Sequence, residues 1–331
     1  MRIRRESTFL FLFLLTMAML AFVLYFFRLS SYILHILIMI LFFSYLSSCW
    51  NLLGGYAGQH SIGHSAFVGL GAYTSTFLFL QVGLNPWVGM LLGGLVAALA
   101  GLFIGYLSFH YRLRGLYFVL VTIAFAEILT ILFSNIRAIR GASGLVVPLV
   151  PLPLEGLWMF QFRSKIPYYH IILAMVTFIL LFSTWVSRAR LGYYWMAIRE
   201  NEEAARAVGI RVMAYKLLAT CLSAFFAAFG GTFYAQYTYF IDPPTVLGFN
   251  LSIEILIYPI VGGIGTVLGP LIGASLLYPL AEIIRTLLGD KTAGVHLMVY
   301  GGILVAIMIF APRGIVGVFQ TLFTSRKGEG K

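Results

Sequence analysis

The feature that most constrains this chain is a succession of ten long apolar runs, at roughly residues 8–27, 31–53, 66–80, 86–109, 115–135, 168–187, 215–237, 249–261, 267–288 and 294–311, separated by charged, glycine-rich or proline-rich stretches. A hydrocarbon core about 30 Å thick is spanned by a helix of about 20 apolar residues, so the pattern reads as an all-α, polytopic membrane protein. About ten transmembrane segments are expected, some of them short or broken. They take about 200 of the 331 residues and leave about 131 for loops, too few for an attached soluble domain. The composition agrees, with 61% hydrophobic residues, 10% charged residues and a mean hydropathy of +0.96, where a soluble domain has about 25% charged residues. We therefore expect one transmembrane domain over residues 1–331, and neither a globular enzyme nor a nucleotide-binding domain.

The 22 Lys and Arg against 11 Asp and Glu give a net charge of +11, which in a soluble protein points to nucleic acid. Here it reads as topology, because basic residues hold loops on the anionic inner leaflet. Counting alternate loops puts Arg2, Arg4, Arg5, Arg112, Arg114, Arg188, Arg190, Arg199, Arg206, Arg211, Lys216, Arg313, Arg326, Lys327 and Lys331 on one side. Arg28, Arg137, Arg140, Arg163, Lys165, Arg285 and Lys291 fall on the other, a split of 15 to 7. Both termini are then cytoplasmic, 188–214 is the long inside loop and 136–167 the long outside loop. The expected partner is membrane lipid rather than nucleic acid. The run at 8–27 is longer than a signal-peptide core and lacks a clear A-x-A site, so it reads as a retained first span. Cys49 and Cys221 lie in apolar stretches and form neither a disulfide framework nor a four-ligand zinc site.

Two runs are short for a bilayer, 66–80 with 15 residues and 249–261 with 13. Each adjoins a glycine cluster: Gly54-Gly55-Tyr56-Ala57-Gly58-Gln59-His60-Ser61-Ile62-Gly63-His64 and Gly262-Gly263-Ile264-Gly265-Thr266-Val267-Leu268-Gly269-Pro270. Short, interrupted spans in corresponding places of two halves mark the broken helices that line a translocation path. The plainer reading is close helix packing through glycine. Gln59, Ser61 and His64, with Gly262 and Gly263, are the path candidates on the first reading. His60 and His64 are four apart, but Ser61 stands where a metalloprotease motif needs glutamate and no third ligand is evident, so we expect no metal. Glu127 and Glu254 lie inside spans, where a carboxylate is costly unless wet or paired, and are further path candidates. Glu282 and Arg285, three apart, are expected to pair on one helical face. No arrangement of nucleophile and base forms a catalytic site.

Within 188–214, residues 197–210 read as a short helix, with Asn201 as its cap, Glu202 and Glu203 at the positive end of its dipole and Gly209 as its left-handed terminator. Ala204, Ala205 and Val208 are expected to form a small, smooth face suited to a docking protein.

Glu203-Ala204-Ala205-x-x-x-Gly209 resembles the E-A-A-x-x-x-G loop by which ABC importer permeases dock their ATPases. Three further stretches occur in the order found in the branched-chain amino acid ABC permease family, of the LivM type: Gly55 to His64 with Phe67 and Gly71-Ala72-Tyr73; Ile198-Arg199-Glu200-Asn201; and Phe249 to Glu254 through Gly262-Gly263 to Gly269-Pro270. The resemblance covers roughly 31–318. It departs from the family at Ile139-Arg140-Gly141, where Thr-Gly-Gly is frequent, and at Tyr258-Pro259, where a proline is expected to kink the helix. The resemblance implies a passive permease domain in the cytoplasmic (inner) membrane of a prokaryote. Its implied partners are a second related permease, two cytoplasmic ATPases and a periplasmic or extracellular binding protein. Arg199, Glu200, Glu203, Ala204, Ala205 and Gly209 are then the ATPase-coupling residues. The lysines Lys165, Lys216, Lys291, Lys327 and Lys331 never stand in Gly-Lys-Ser/Thr, so this chain is expected to bind no cofactor, ATP belonging to the partner subunits. A permease for urea or short amides fits the Gln59 and Ser61 cluster, and an ion-coupled carrier would use Glu127 or Glu254, but such a carrier has no need of an ATPase socket.

Overall fold

The computed structural model describes residues 30–149 and 156–288, with isolated positions between 301 and 317. Among the described residues, eight helical segments are long and apolar enough to cross a membrane, and they coincide with the expected runs from 31–53 to 267–288. The first expected run, 8–27, lies outside the described residues, as does most of the tenth, 294–311. The fold is all-α and polytopic.

The first described helix, α1 (Ser31–Asn51), continues through a π-helical turn, Leu52–Tyr56. It is followed by α2 (Ser65–Val82), α3 (Pro86–His110), α4 (Leu116–Asn135), α5 (Lys165–Arg188), α6 (Arg190–Glu200), α7 (Glu202–Ala207), α8 (Val212–Thr238), α9 (Pro243–Val246), α10 (Phe249–Gly262) and α11 (Gly269–Leu288). The ends follow local chemistry. Asn85 caps α3 ahead of Pro86, Ser164 caps α5, and Asp242 accepts from the Thr245 amide at α9. The short spans are longer than the sequence pattern indicates: α2 has 18 residues, about 27 Å, and α9 with α10 forms one 20-residue segment interrupted at Leu247-Gly248.

The described chain divides into two compact units. In the larger, formed by Cys49–Tyr168 and Trp185–Leu256, α2, α3 and α8 pack backbone to backbone. Gly71 of α2 lies against Ala228 and Gly231 of α8 against Val68 and Ala72, and a methyl group at Gly93 of α3 would stand 3.0 Å from the Gly71 carbonyl oxygen. In lipid, where apolar side chains gain nothing by leaving solvent, such close approach lets dispersion and carbonyl contacts hold helices together. At one end of this unit a short antiparallel ladder pairs β1 (Leu145–Val146) with β2 (Phe240–Ile241). There the Trp87 indole donates to the Leu157 carbonyl over 2.7 Å and stacks on Phe160, and the Tyr168 and Tyr239 hydroxyls meet at 2.7 Å. Loops 136–149 and 239–241 thus share one face, as alternation of spans requires.

In the other unit, Gly262 lies against Gly269, and Gly273 against the Tyr258 backbone, so the end of α10 and the start of α11 are in close contact. The second glycine cluster is closely packed here. The α10 helix continues through Pro259 to Gly262. Arg285 lies 3.8 Å from Glu282, which also accepts from the Tyr32 hydroxyl, so the expected pair forms.

Candidate functional site

The connection between α1 and α2 is the irregular stretch of the first glycine cluster. Gln59, Ser61 and His64 are buried, and His60 is exposed. Its later half stands at membrane depth. His64 contacts Ser223, which lies eleven residues into α8, about 16 Å from Val212, and Gly63 abuts the Thr122 backbone within α4. Non-helical backbone at such depth needs partners from protein, since lipid supplies none. The partners are present: the Trp50 indole donates to the Ser61 carbonyl over 2.7 Å, Thr122 accepts from the Ile62 amide, and Ser223 donates to the Cys49 carbonyl over 2.6 Å.

That last bond assigns the His64 ring. Ser223 has one hydroxyl proton, given to Cys49, so the 3.1 Å contact with His64 is bonded only if Nε2 donates. Nδ1 is then a bare acceptor, and it has no partner among the described residues. The Ser61 hydroxyl is likewise buried without a partner there.

The start of α2 meets the interruption between α9 and α10. Ser65 donates its hydroxyl to the Leu247 carbonyl over 2.7 Å, its amide donates to Ser252 Oγ over 3.0 Å, and the Ser252 hydroxyl returns to Ser65 Oγ over 2.7 Å. Two broken segments, adjacent to one another, are stitched through orphan groups at their ends. Ser252→Ala removes the acceptor of a buried amide, a loss of about 1–3 kcal/mol. We expect a fall of several degrees in detergent thermal unfolding, with Ser252→Thr restoring the wild-type value; equal melting of all three would dismiss the stitch. Beyond the stitch, Asn250 and Glu254, four apart on α10, are exposed on one side. Asn250 is absent from the sequence candidates, although its i, i+4 spacing to Glu254 signals it. Glu127 is half-buried on α4 and forms no ion pair among the described residues. Gly262 and Gly263 belong to the smaller unit described above.

The segment after α5 folds as two helices with an elbow, rather than as one helix over 197–210. Asn201 Oδ1 accepts from the Glu203 and Ala204 amides at 2.9 and 3.0 Å, so the cap falls where expected and separates α6 from α7. Gly209 takes φ +87° and its amide donates to the Arg206 carbonyl, closing α7 as a left-handed terminator. The expected smooth face needs correction. Ala205 is buried against Ile198 and Val212, whereas Glu203, Ala204 and Val208 are exposed. A two-turn helix holds its place only by burying one side, and Ala205 is the small residue that lets α7 lie down on its neighbours.

This platform is held by charge as well. Lys216, buried in the first turns of α8, donates from Nζ to Glu202 Oε1 and lies 5.0 Å from the Phe109 ring centre. Arg114, from the turn between α3 and α4, reaches the other Glu202 oxygen at 3.3 Å and Glu203 at 3.6 Å. Arg199 of α6 turns inward, and its Nη1 donates to the Gly55 carbonyl over 2.7 Å. Its second contact is Glu200, 3.3 Å away and mostly exposed. Between the platform and the α1–α2 connection is a cavity of about 360 Å³, lined by Gly58, Gln59, His60, Arg114, Phe118 and residues 198–203. Although part of His60 is exposed, desolvation by the groups around its ring, and then the Arg199 charge, hold the imidazole below its ordinary pKa.

Among proteins of known role, the chain is 31% identical over 302 residues to the high-affinity branched-chain amino acid transport system permease protein LivM of Salmonella typhimurium and, at the same identity and length, to LivM of Escherichia coli. Each match covers 85% of this chain and 69% of the relative. BraD of Pseudomonas aeruginosa, named as a permease protein of the same kind of system, is 28% identical over 174 residues, 51% of this chain and 55% of its own. No solved structure gives a significant match. The family model for the permease component of branched-chain amino acid transport systems matches residues 32–308, which takes in every described span from α1 to α11 together with the platform. The chain belongs to that family of transport permeases.

Proposed function

We propose that the chain is the membrane-spanning subunit of an ATP-driven importer of branched-chain amino acids, in which α7 and Gly209 dock a cytoplasmic ATPase. A second related permease, two ATPases and a substrate-binding protein on the opposite face complete the assembly. The observation that carries the reading is the exposed, doubly capped turn at 202–209, anchored inward by Ala205 and Glu202 and presenting Glu203, Ala204 and Val208 outward. An ATP-driven permease whose ATP is hydrolysed on partner subunits needs such a socket. Gln59, Ser61 and His64, with Asn250 and Glu254, supply polar groups for the path. Deep in a bilayer, groups of this kind either face water or a solute or are matched by protein.

The test is reconstitution with the cognate ATPases and binding protein. Leucine and valine uptake should require ATP and ignore proton and sodium gradients, whereas gradient-driven uptake by this chain alone would overturn the reading. Gly209→Val should lower stimulated ATP hydrolysis about tenfold, because a β-branched residue at positive φ costs about 1–3 kcal/mol. Binding-protein affinity should hold, and its loss in parallel would deny Gly209 a dedicated coupling role.

A further inference from the structure

Arg199 has the charge and location of a docking residue and is itself exposed, yet one arm of its guanidinium is engaged by backbone of the α1–α2 connection while the other meets Glu200. Nη1 lies 2.7 Å from the Gly55 carbonyl oxygen, 144 residues away in sequence. Gly55 stands in the π-helical last turn of the α1 segment, where carbonyls have no donor within their own helix. A guanidinium there makes a charge-assisted bond and meets the negative end of the helix dipole. The stem of Arg199 is also fitted to this place. Gly58 takes φ +69°, and a methyl group on it would stand 2.6 Å from Arg199 Cγ, so glycine is what lets the arginine cross the connection. A side chain held at both stem and head by the 55–58 backbone moves with that backbone.

The geometry points to Arg199 as the strut that carries motion of the platform into the α1–α2 connection, a positioning residue for transport rather than a contact for the ATPase. The inference rests on the proposed docking at α7 and Gly209. When α6 and α7 are displaced as a body, the Gly55 carbonyl and the Gly58 crossing are the points at which the displacement reaches Gln59, Ser61 and His64. A π-turn suits this position, since its looser ladder shifts register more readily than an α-helix does.

The experiment uses the assembled transporter in vesicles and measures three quantities: ATPase subunits retained on purification, stimulated ATP hydrolysis, and leucine imported per ATP. Arg199→Ala should retain the ATPases and hold hydrolysis within about twofold, while leucine per ATP falls about tenfold, as expected for one lost charge-assisted bond. Arg199→Lys, which keeps the charge but not the planar fork, should recover only part of the ratio. Gly58→Ala, which displaces the arginine stem, should lower the ratio in the same way. Loss of ATPase retention in Arg199→Ala would make Arg199 a docking contact and overturn the inference, and an unchanged ratio would overturn it equally. If Arg199→Ala does not fold, Arg199→Lys decides, since a wild-type ratio there excludes a strut that depends on the fork. Full hydrolysis in Gly209→Val would instead remove the docking reading, so the two failures are distinguishable.

Discussion

Gly231→Val is expected to abolish transport and to leave little monodisperse protein after detergent extraction. Gly231 faces α2 where the two backbones touch, and even a methyl group there would overlap the Val68 carbonyl oxygen and approach the Ala72 nitrogen to 2.8 Å. Neither obstacle is a flexible side chain that can rotate aside. Relief requires α8 and α2 to separate, which also breaks the Gly71–Ala228 contact one turn away and loosens α3, whose Gly93 rests on Gly71. Overpacking costs about 1–3 kcal/mol where side chains can yield, and more where backbones must part. Gly231→Ala should therefore show the same defect in milder form. Size-exclusion profiles of the tagged protein, before and after a heat step, read this directly. A valine variant as stable as wild type would mean that α2 and α8 do not meet at this point.

Glu202→Gln is the second large effect. Glu202 lies between two cations, buried Lys216 and half-exposed Arg114, and it is the anion that makes the lysine tolerable. Glutamine keeps the size and removes the charge, leaving a buried ammonium beside a guanidinium, and breaking a buried pair in this way costs about 3–5 kcal/mol. Lys216→Met is expected to be far milder, because the methionine still packs on Phe109 and Glu202 keeps Arg114. The double variant should be more stable than Glu202→Gln alone, a non-additivity that marks direct coupling. Thermal unfolding of the four proteins in one detergent checks the order. Lys216→Met at or below the stability of Glu202→Gln would refute the arrangement.

The spans were legible because lipid imposes one rule on every helix, and a run of apolar residues satisfies it wherever the helix goes afterwards. The caps at Asn201 and Gly209 were legible for a similar reason, since each acts on backbone within three residues of itself. The inward face of α7 was not. Ala204, Ala205 and Val208 have the spacing of one face, and only the distant placement of Ile198 and Val212 decides that Ala205 is covered while the others stay exposed. Arg199 reads as a surface charge in a charged loop, and nothing local announces a carbonyl brought to it from Gly55. The same holds for Lys216, which marks a loop end in sequence and closes a buried ion pair in the structure. The partners of the first glycine cluster were hidden too. The residues 59–64 were expected beside a broken helix, but which groups meet them is set by Ser223 and Thr122, far away in sequence.

Those partners bear on biosynthesis. Of the groups that satisfy the irregular stretch before α2, Trp50 precedes it, but Thr122 and Ser223 follow, the latter 159 residues after His64. At about 5–20 residues per second, the ribosome adds Ser223 on the order of ten seconds or more after His64. Through that interval α2, with its glycines and its polar leading edge, has neither α8 nor its own hydrogen-bond partners in place. The contacts of Gly71 and Gly231 and the His64–Ser223 bond can therefore form only once α8 has been made, so the packing of α2 is completed late in synthesis.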